Sequence, residues 1–269
     1  MWKNIQFIEN PLVITLIKIL VDNTAYKKFF AQHGFSALIE SKGKRILFDA
    51  GQHPKIIEEN LKLFDEKEGF DYVVLSHGHY DHCDGLKYII DNELINGKVI
   101  VHKDAFLEKY AGKRYIGMSD EVKKYLLKKA DLEMIIKPYK IDKNIIVSGE
   151  VPRDFPYEME KFMCIKNGKL VEDELKDDMF LIANGILITG CSHSGIINVV
   201  EYGKKLSEIE GVLGGFHLGG VSEPYLNNVV NYFKSQPFWI MPMHCTGFKA
   251  SVKLSQLKNF VYGHVGKVI

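Results

Sequence analysis

Four short apolar runs in this sequence end on a histidine, and that recurrence narrows the folds open to the chain. They are DYVVLSHG (71–78), ILITGCSHSG (186–195), GVLGGFHLGG (211–220) and FWIMPMHCTG (238–247). Apolar stretches this short, closed by glycine and polar residues, read as buried strands rather than helices. Each is followed by a segment with apolar residues at helical spacing: GLKYIIDNELI, INVVEYGKKL, LNNVVNYFKSQ and KASVKLSQLKNF. Strand, polar loop, helix, strand is the rhythm by which an α/β protein places a site at strand ends.

The first third supplies more strand. The run PLVITLIKILV (11–21) is too short to span a bilayer and carries Lys18; it also lacks a small-residue cleavage pattern, so it reads as a mature strand. FSALIESKGKRILFDAG (35–51) has two apolar runs around SKGK and predicts a hairpin turning at Gly43. HPKIIEENLKLFDE (53–66) predicts a helix with Ile56, Ile57, Leu61 and Phe64 on one stripe. Residues 104–180 are more charged and less regular, with a Lys/Glu-rich helix expected around 119–130. We read one domain over 1–269, with 104–180 as an insertion or lid over the site.

Composition excludes some function classes. Lys+Arg total 35 against 34 Asp+Glu, so no net field favours a polyanion, and neither nucleic acid nor a membrane is expected as partner. A small-molecule substrate and a cytoplasmic location are expected; the oligomeric state is left open. Four cysteines in a chain of 269 residues are no disulfide framework. Three of them sit beside histidines: Cys83 after His82, Cys191 two before His193, and Cys245 after His244.

The densest chemistry lies in LSHGHYDHCDG (75–85), where three histidines and two aspartates fall between His77 and Asp84. On an extended segment, side chains at i and i+2 point the same way, so His77 and His79 can converge on one ion. Asp81 and His82, at the loop-to-helix turn, can serve a second. Neutral imidazoles and a carboxylate suit zinc, iron or manganese, and Gly78 is read as the tight turn between the first two ligands. One histidine in a loop is ordinarily a surface residue. A strand end carrying HxHxDH would be left with four crowded polar groups and no purpose without a metal.

SHGHYDHCDG resembles the signature of the metallo-β-lactamase superfamily, with support from ILFDAG (46–51) and the later strand-end histidines. The resemblance implies an αββα sandwich with a metal site at one edge, holding divalent metal, two zinc ions first and iron or manganese as alternatives. HGFSALIE (33–40), GEVPR (149–153), ITGCSHSGI (188–196), GGFHL (214–218) and MHCTG (243–247) resemble, as a set, the branch named for 7,8-dihydropterin-6-methyl-4-(β-D-ribofuranosyl)aminobenzene-5′-phosphate synthase.

Carried over position by position, the resemblance implies His77 and His79 as first-metal ligands and Asp81 and His82 as second-metal ligands. Asp49 would support the site by hydrogen bonds. His193 would complete the first metal and His244 the second, with His217 as competitor. In the wider superfamily the strand reading I-x-TG is followed by a bridging Asp; here Cys191 follows ITG. Cys191 supplies a thiolate, or the site is mononuclear or lopsided, or His193 replaces the Asp. Cys83 and Cys245 are expected as packing thiols behind the ligands. Asp81 and His217 are the candidate catalytic groups, and His33, Glu150 and Arg153 the candidate substrate-binding ones, Arg153 as a fork for phosphate or carboxylate. His53, His102 and His264 are expected to be structural or surface residues.

The implied activity is that of a metal-dependent enzyme acting on a phosphorylated or pterin-like small molecule. The alternative is a metal-dependent hydrolase of a phosphodiester, lactone or thioester, which the same ligands would serve. A metal-binding sensor without turnover would suit a closed four-ligand site, whereas five or six candidate ligands favour an open one.

Overall fold

A computed structural model of the chain describes residues 15–269. Two six-stranded sheets face each other. The first orders its strands Thr15–Val21, Ser36–Ser41, Lys44–Phe48, Phe70–Val74, Ile95–Val101 and Asp131–Met134; the second runs Trp239–Met243, Gly211–Gly215, Ile186–Thr189, Phe180–Ala183, Ile145–Val147 and Tyr139–Asp142. The first expected strand is present from Thr15 onward, and residues 11–14 of that reading lie outside the described residues. The hairpin expected over 35–51 pairs Ala37 with Phe48 and Ser41 with Lys44.

The period of two along each strand builds the layers. Ala37, Ile39, Ile46 and Phe48 of the first sheet meet Leu181, Ala183, Ile188, Leu213 and Met241 of the second in a shared interior. The alternate residues Leu38, Leu47, Val73 and Val99 turn outward against Ile57, Leu61, Ile89, Val122 and Leu126 from helices Pro54–Leu63, Leu86–Asp91 and Asp120–Lys129. On the far side Ile182, Leu187, Val212 and Ile240 pack under Val199, Val200, Val229, Phe233, Ala250 and Leu254 from helices Ile196–Leu206, Glu223–Lys234 and Phe248–Leu254. Strands buried on both faces explain why so many runs are continuously apolar instead of alternating with polar residues. A fully buried side chain such as Phe233, stacked on Phe216 at 5.3 Å between centroids, contributes about 1.5–3 kcal/mol. This is the αββα sandwich that the resemblance implied.

Two helices are shorter than their patterns. The helix expected over GLKYIIDNELI stops at Asp91, because Glu93 takes a left-handed backbone and Ile95 already pairs with Phe70. The last ends at Leu254, after which isolated turns lead to Phe260.

The stretch 104–180 divides three ways. Asp131–Met134 extends the first sheet, and Tyr139–Asp142 and Ile145–Val147 extend the second, so the chain crosses between the sheets here. On either side of that crossing, Glu108–Ala111 and Arg114–Tyr115 before it and Met163–Lys166 and Lys169–Glu172 after it form a separate four-stranded sheet. It is tied to the His-rich loop, since Tyr80 N donates to Ile116 O at 3.0 Å and Tyr80 packs with Ile116, Phe162 and Leu175. Among the described residues no helix is long and apolar enough to cross a membrane.

Candidate metal centre

Three parallel strands, Ile186–Thr189, Gly211–Gly215 and Trp239–Met243, end side by side in the second sheet. Phe70–Val74 ends opposite them in the first, so their terminal loops face one another. His77, His79 and His82 from one loop and His193 and His244 from two others are all buried. His77 Nε2 lies 3.1 Å from His79 Nδ1, and the ring centroids of His77 and His79 lie 4.9 and 5.0 Å from that of His193. His82 Nε2 lies 3.2 Å from both His244 Nε2 and Cys191 Sγ. Asp81 Oδ2 lies 3.3 Å from His244 Nε2 and 3.1 Å from His33 Nε2.

A network behind the rings fixes their orientation. Asp49 is fully buried; its Oδ1 accepts from Ser76 N at 2.7 Å, and its Oδ2 from Ser76 Oγ at 2.6 Å and His82 Nδ1 at 2.7 Å. With its proton committed to Asp49, Ser76 Oγ can only accept from His77 Nδ1–H, 2.8 Å away. One carboxylate therefore sets the tautomers of both His77 and His82 and turns both Nε2 atoms toward the centre. On the opposite wall His244 Nδ1 donates to Asn23 Oδ1 at 2.9 Å, and its backbone N–H to Asp22 Oδ1 at 2.7 Å.

Asp49, Ser192, His217 and His244 all hold positive φ, between 47° and 60°. Non-glycine residues avoid this region, so the loops are over-determined by their surroundings. The chain bends over residues 76–78, as expected, though Gly78 itself has no positive φ. A Cβ at Gly78 would sit 2.1 Å from Ala105 O, so glycine serves close approach, and its N–H donates to Asp177 Oδ2 at 2.8 Å.

Burial, reinforced by the neighbouring His82, His79 and His193, pushes the pKa of His77 well below the usual imidazole range. Burial, helped by Lys109, takes His79 to about 3, and burial with His217 lowers His193. These three are neutral imidazoles, the form that binds metal. His82 is opposite: burial would lower it, but Asp81 and Asp49 raise it to about 9. Burial would raise Asp81, yet His82, His244 and His33 hold it well below the usual carboxylate range. The carboxylates thus demand a positive charge where His82 Nε2 points, and a metal cation supplies the same charge as the proton.

Donor atoms gather in two sets on this axis, each within 4.8 Å: His77, Cys191 and His193, and His82, Cys191 and His244. A further set joins His33, Asp81 and His244 at the mouth. Cys191 is the member common to the first two. His79 Nε2 and both ring nitrogens of His193 are buried without a hydrogen-bond partner. Unpaired buried nitrogens are costly, so the donor set fits a metal on an observation independent of any sequence motif.

The centre opens into a cavity of about 210 Å³ walled by His33, Tyr80, Asp81, Arg114, Ile116, Glu160, Phe162 and His217, among others. His33 is at the mouth, with its side chain 51% exposed. Glu150 and Arg153 are not brought to this wall. Glu150 Oε1 accepts from His102 Nε2 at 3.1 Å, and the Arg153 guanidinium donates to the carbonyls of Glu174 and Leu175. Arg114 is the cation that reaches the cavity. Sequence reasoning missed it, as it missed Asn23 and Asp22, whose only signal was their place at the end of the first strand. Asp177 and Lys109 were likewise missed. Cys83 Sγ donates to His77 O at 3.2 Å and packs into the core behind the His-rich loop. His102 caps a short 3-10 turn and His53 precedes a helix, both structural positions.

The chain belongs to the metallo-β-lactamase superfamily. That family's profile matches residues 31–161. An uncharacterized protein of Methanocaldococcus jannaschii is 80% identical over 254 residues, 94% of this chain and 99% of that one. The 7,8-dihydropterin-6-methyl-4-(β-D-ribofuranosyl)-aminobenzene-5′-phosphate synthase of the same organism is 31% identical and covers all of this chain and 99% of its own. A crystal structure described as a metal-dependent hydrolase of the β-lactamase superfamily superposes with a TM-score of 0.84 at 28% identity, covering 95% of this chain and 98% of that one.

Proposed function

We propose that this protein is an enzyme with a dinuclear metal centre, acting on a phosphorylated or pterin-like small molecule. The observation that carries the reading is the pair of donor sets sharing Cys191, beside which His79 Nε2 and both ring nitrogens of His193 are buried with no hydrogen-bond partner. His77, His79 and His193 would hold one ion and Asp81, His82 and His244 the other, with the Cys191 sulfur in the bridging place. When bound, such ions supply Lewis-acid charge that lowers the pKa of water or substrate and stabilises developing negative charge on oxygen.

The chain's own residues supply the rest. Asp81, at the cavity wall with Oδ2 3.3 Å from His244 Nε2, is the carboxylate placed to accept a proton in passing at its Oδ2. His217 faces the same cavity with Nδ1 unpartnered and is the second proton-handling candidate. Arg114 takes the place of Arg153 as the fork for a phosphate, with His33 lining the same cavity. Phe162 and Ile116, each next to a strand of the small sheet, line the cavity and exclude water, which is the lid role for part of 104–180. His244 also borders a larger groove of about 480 Å³ walled by Phe248, Val252 and Tyr262, apolar surface suited to a planar ring. The 31% identical synthase supports a pterin-like phosphorylated substrate. The structural likeness to a metal-dependent hydrolase supports a second reading, ester or phosphodiester hydrolysis on the same centre.

Elemental analysis of protein purified without added metal, wild type beside Cys191→Ser, tests the centre. About two equivalents in wild type falling to about one in the variant are expected for a shared thiolate. No metal in wild type even after reloading overturns the reading. On loaded protein, a panel of bis(p-nitrophenyl) phosphate and lactones separates the two activities: turnover of any ester supports hydrolysis, and none supports the synthase-like reaction.

A further inference from the structure

Cys191, His217 and Cys245 occupy equivalent places. Each lies two residues beyond the end of its strand, Ile186–Thr189, Gly211–Gly215 and Trp239–Met243, and these strands are consecutive and parallel. The register pairs Thr189 with Gly214 and Gly215 with Met243, so the three side chains arrive together, with donor atoms within 4.8 Å of one another. The expectation for Cys245, a thiol merely packing behind the ligands, does not account for that convergence. The Cys245 sulfur is seated over Gly215, where a Cβ would lie 2.6 Å from Sγ and 3.3 Å from the Cα of Cys191. His217 Nδ1 is buried with no hydrogen-bond partner. Its backbone holds a positive φ of 47°, a conformation that tertiary contacts must impose on a non-glycine residue. Its ring lies 4.3 Å between centroids from that of His193.

Two sulfurs and an imidazole nitrogen form a softer donor set than the His/Asp groups of the neighbouring pair. Thiolates select soft or borderline ions such as zinc, cadmium and copper(I), whereas carboxylate-rich positions suit harder ones. We infer that Cys191, His217 and Cys245 form a separate soft-metal site, joined to the dinuclear centre at the Cys191 sulfur, which takes one thiophilic ion. This rests on the dinuclear reading only through that shared sulfur; Cys245 and His217 belong to neither of the two sets that define the pair. On binding, the Cys245 thiol gives its proton to solvent and a sulfur lone pair to the metal, and the Cys191 sulfur, already a thiolate in the loaded pair, gives a second lone pair, with no change of oxidation state.

The test starts from zinc-loaded protein and titrates in Cd2+, following thiolate-to-cadmium charge-transfer absorbance and, after desalting, the zinc and cadmium content. Wild type is expected to keep the two zinc ions of the pair and gain about one cadmium with the charge-transfer band, any third zinc on the sulfurs being displaced. Cys245→Ser is expected to keep its zinc and lose both the cadmium and most of the band. His217→Gln, which retains both sulfurs, should keep the band but need at least about tenfold more Cd2+ to reach it. Equal cadmium uptake by wild type and Cys245→Ser, or cadmium entering wild type only as its zinc falls below the two equivalents of the pair, overturns the soft site while leaving the dinuclear centre standing. Wild type that holds no zinc at the outset refutes the dinuclear centre instead. Cadmium with its charge-transfer band in that zinc-free protein, lost in Cys245→Ser, would still support the soft site.

Discussion

Lys109 carries no metal and touches no substrate, yet its replacement is expected to be among the most damaging in the molecule. Its side chain is fully buried, with Nζ 2.6 Å from Asp173 Oδ2 and 3.0 Å from Asp177 Oδ1. The remaining oxygens are engaged: Asp177 Oδ2 accepts from Gly78 N and Asp173 Oδ1 from Leu175 N. Lys109→Met keeps the aliphatic stem and removes the charge, leaving two buried carboxylates without a cation. Removing one partner of a buried pair costs about 3–5 kcal/mol. At about 2–4 °C per kcal/mol for a chain of this size, the melting temperature should fall by about 6–20 °C. Thermal unfolding followed by circular dichroism at neutral pH reads it, and adding Asp173→Asn and Asp177→Asn to the same variant should restore most of the loss.

The pH dependence follows from the directions of the shifts. Burial would lower Lys109, but Asp177 and Asp173 raise it, so its stabilisation is lost as pH rises through the raised value. Burial would raise Asp177, but Lys109 lowers it, so its stabilisation is lost as pH falls through the lowered value. The difference between wild type and Lys109→Met should therefore be constant from neutral pH up to the unfolded-state lysine value, about 10.4, and shrink above it. On the acid side it should start to shrink before pH falls to the unfolded carboxylate value, about 3.9, because burial raises the Asp177 carboxyl that the variant leaves unpaired. A loss below about 1 kcal/mol, the scale of an exposed pair, would refute the reasoning.

Three further outcomes are expected. Asp49→Ala frees His77 and His82 to rotate and should weaken metal affinity about 10–100-fold, read by competition with a chromophoric chelator. Gly78→Ala forces a Cβ against Ala105 O at 2.1 Å; it should cost about 1–3 kcal/mol of stability in denaturant titration, with the midpoint moving and the slope unchanged. Arg114→Ala, at an exposed position, should leave stability unchanged and weaken a phosphorylated ligand by about 1.5–3 kcal/mol, or roughly 10–150-fold, in calorimetry of the loaded protein.

Much of this was legible in the sequence because local and global signals agree. The hairpin at 35–51, the four strand-end histidines and the helices after them all follow from periodicity and turn residues. Cys191 was visible as a departure from the superfamily pattern, and the structure places it at the point common to two donor sets. What was not legible depends on register and side-chain direction across long separations. Arg153 read as a phosphate fork from GEVPR, but its guanidinium is occupied by two backbone carbonyls, whereas Arg114 sits in a two-residue strand with no motif. Lys109 looked like one more charge in an irregular stretch, since nothing local announces two carboxylates more than sixty residues away. Asn23 gives no hint that it orients a histidine 221 residues later.

Those separations also say when the centre can exist. His244 depends on Asp22, 222 residues earlier, and meets His82 across 162; Gly78 depends on Asp177 across 99. Loops that long close late, after the local hairpin and helices have formed. The metal pocket is thus a product of completed folding and not a nucleus for it. Metal added to refolding protein should leave the folding rate unchanged and slow unfolding in stopped-flow measurements, the kinetic mark of contacts made after the transition state. A newly made chain would acquire its ions last, from whatever metals its surroundings then offer.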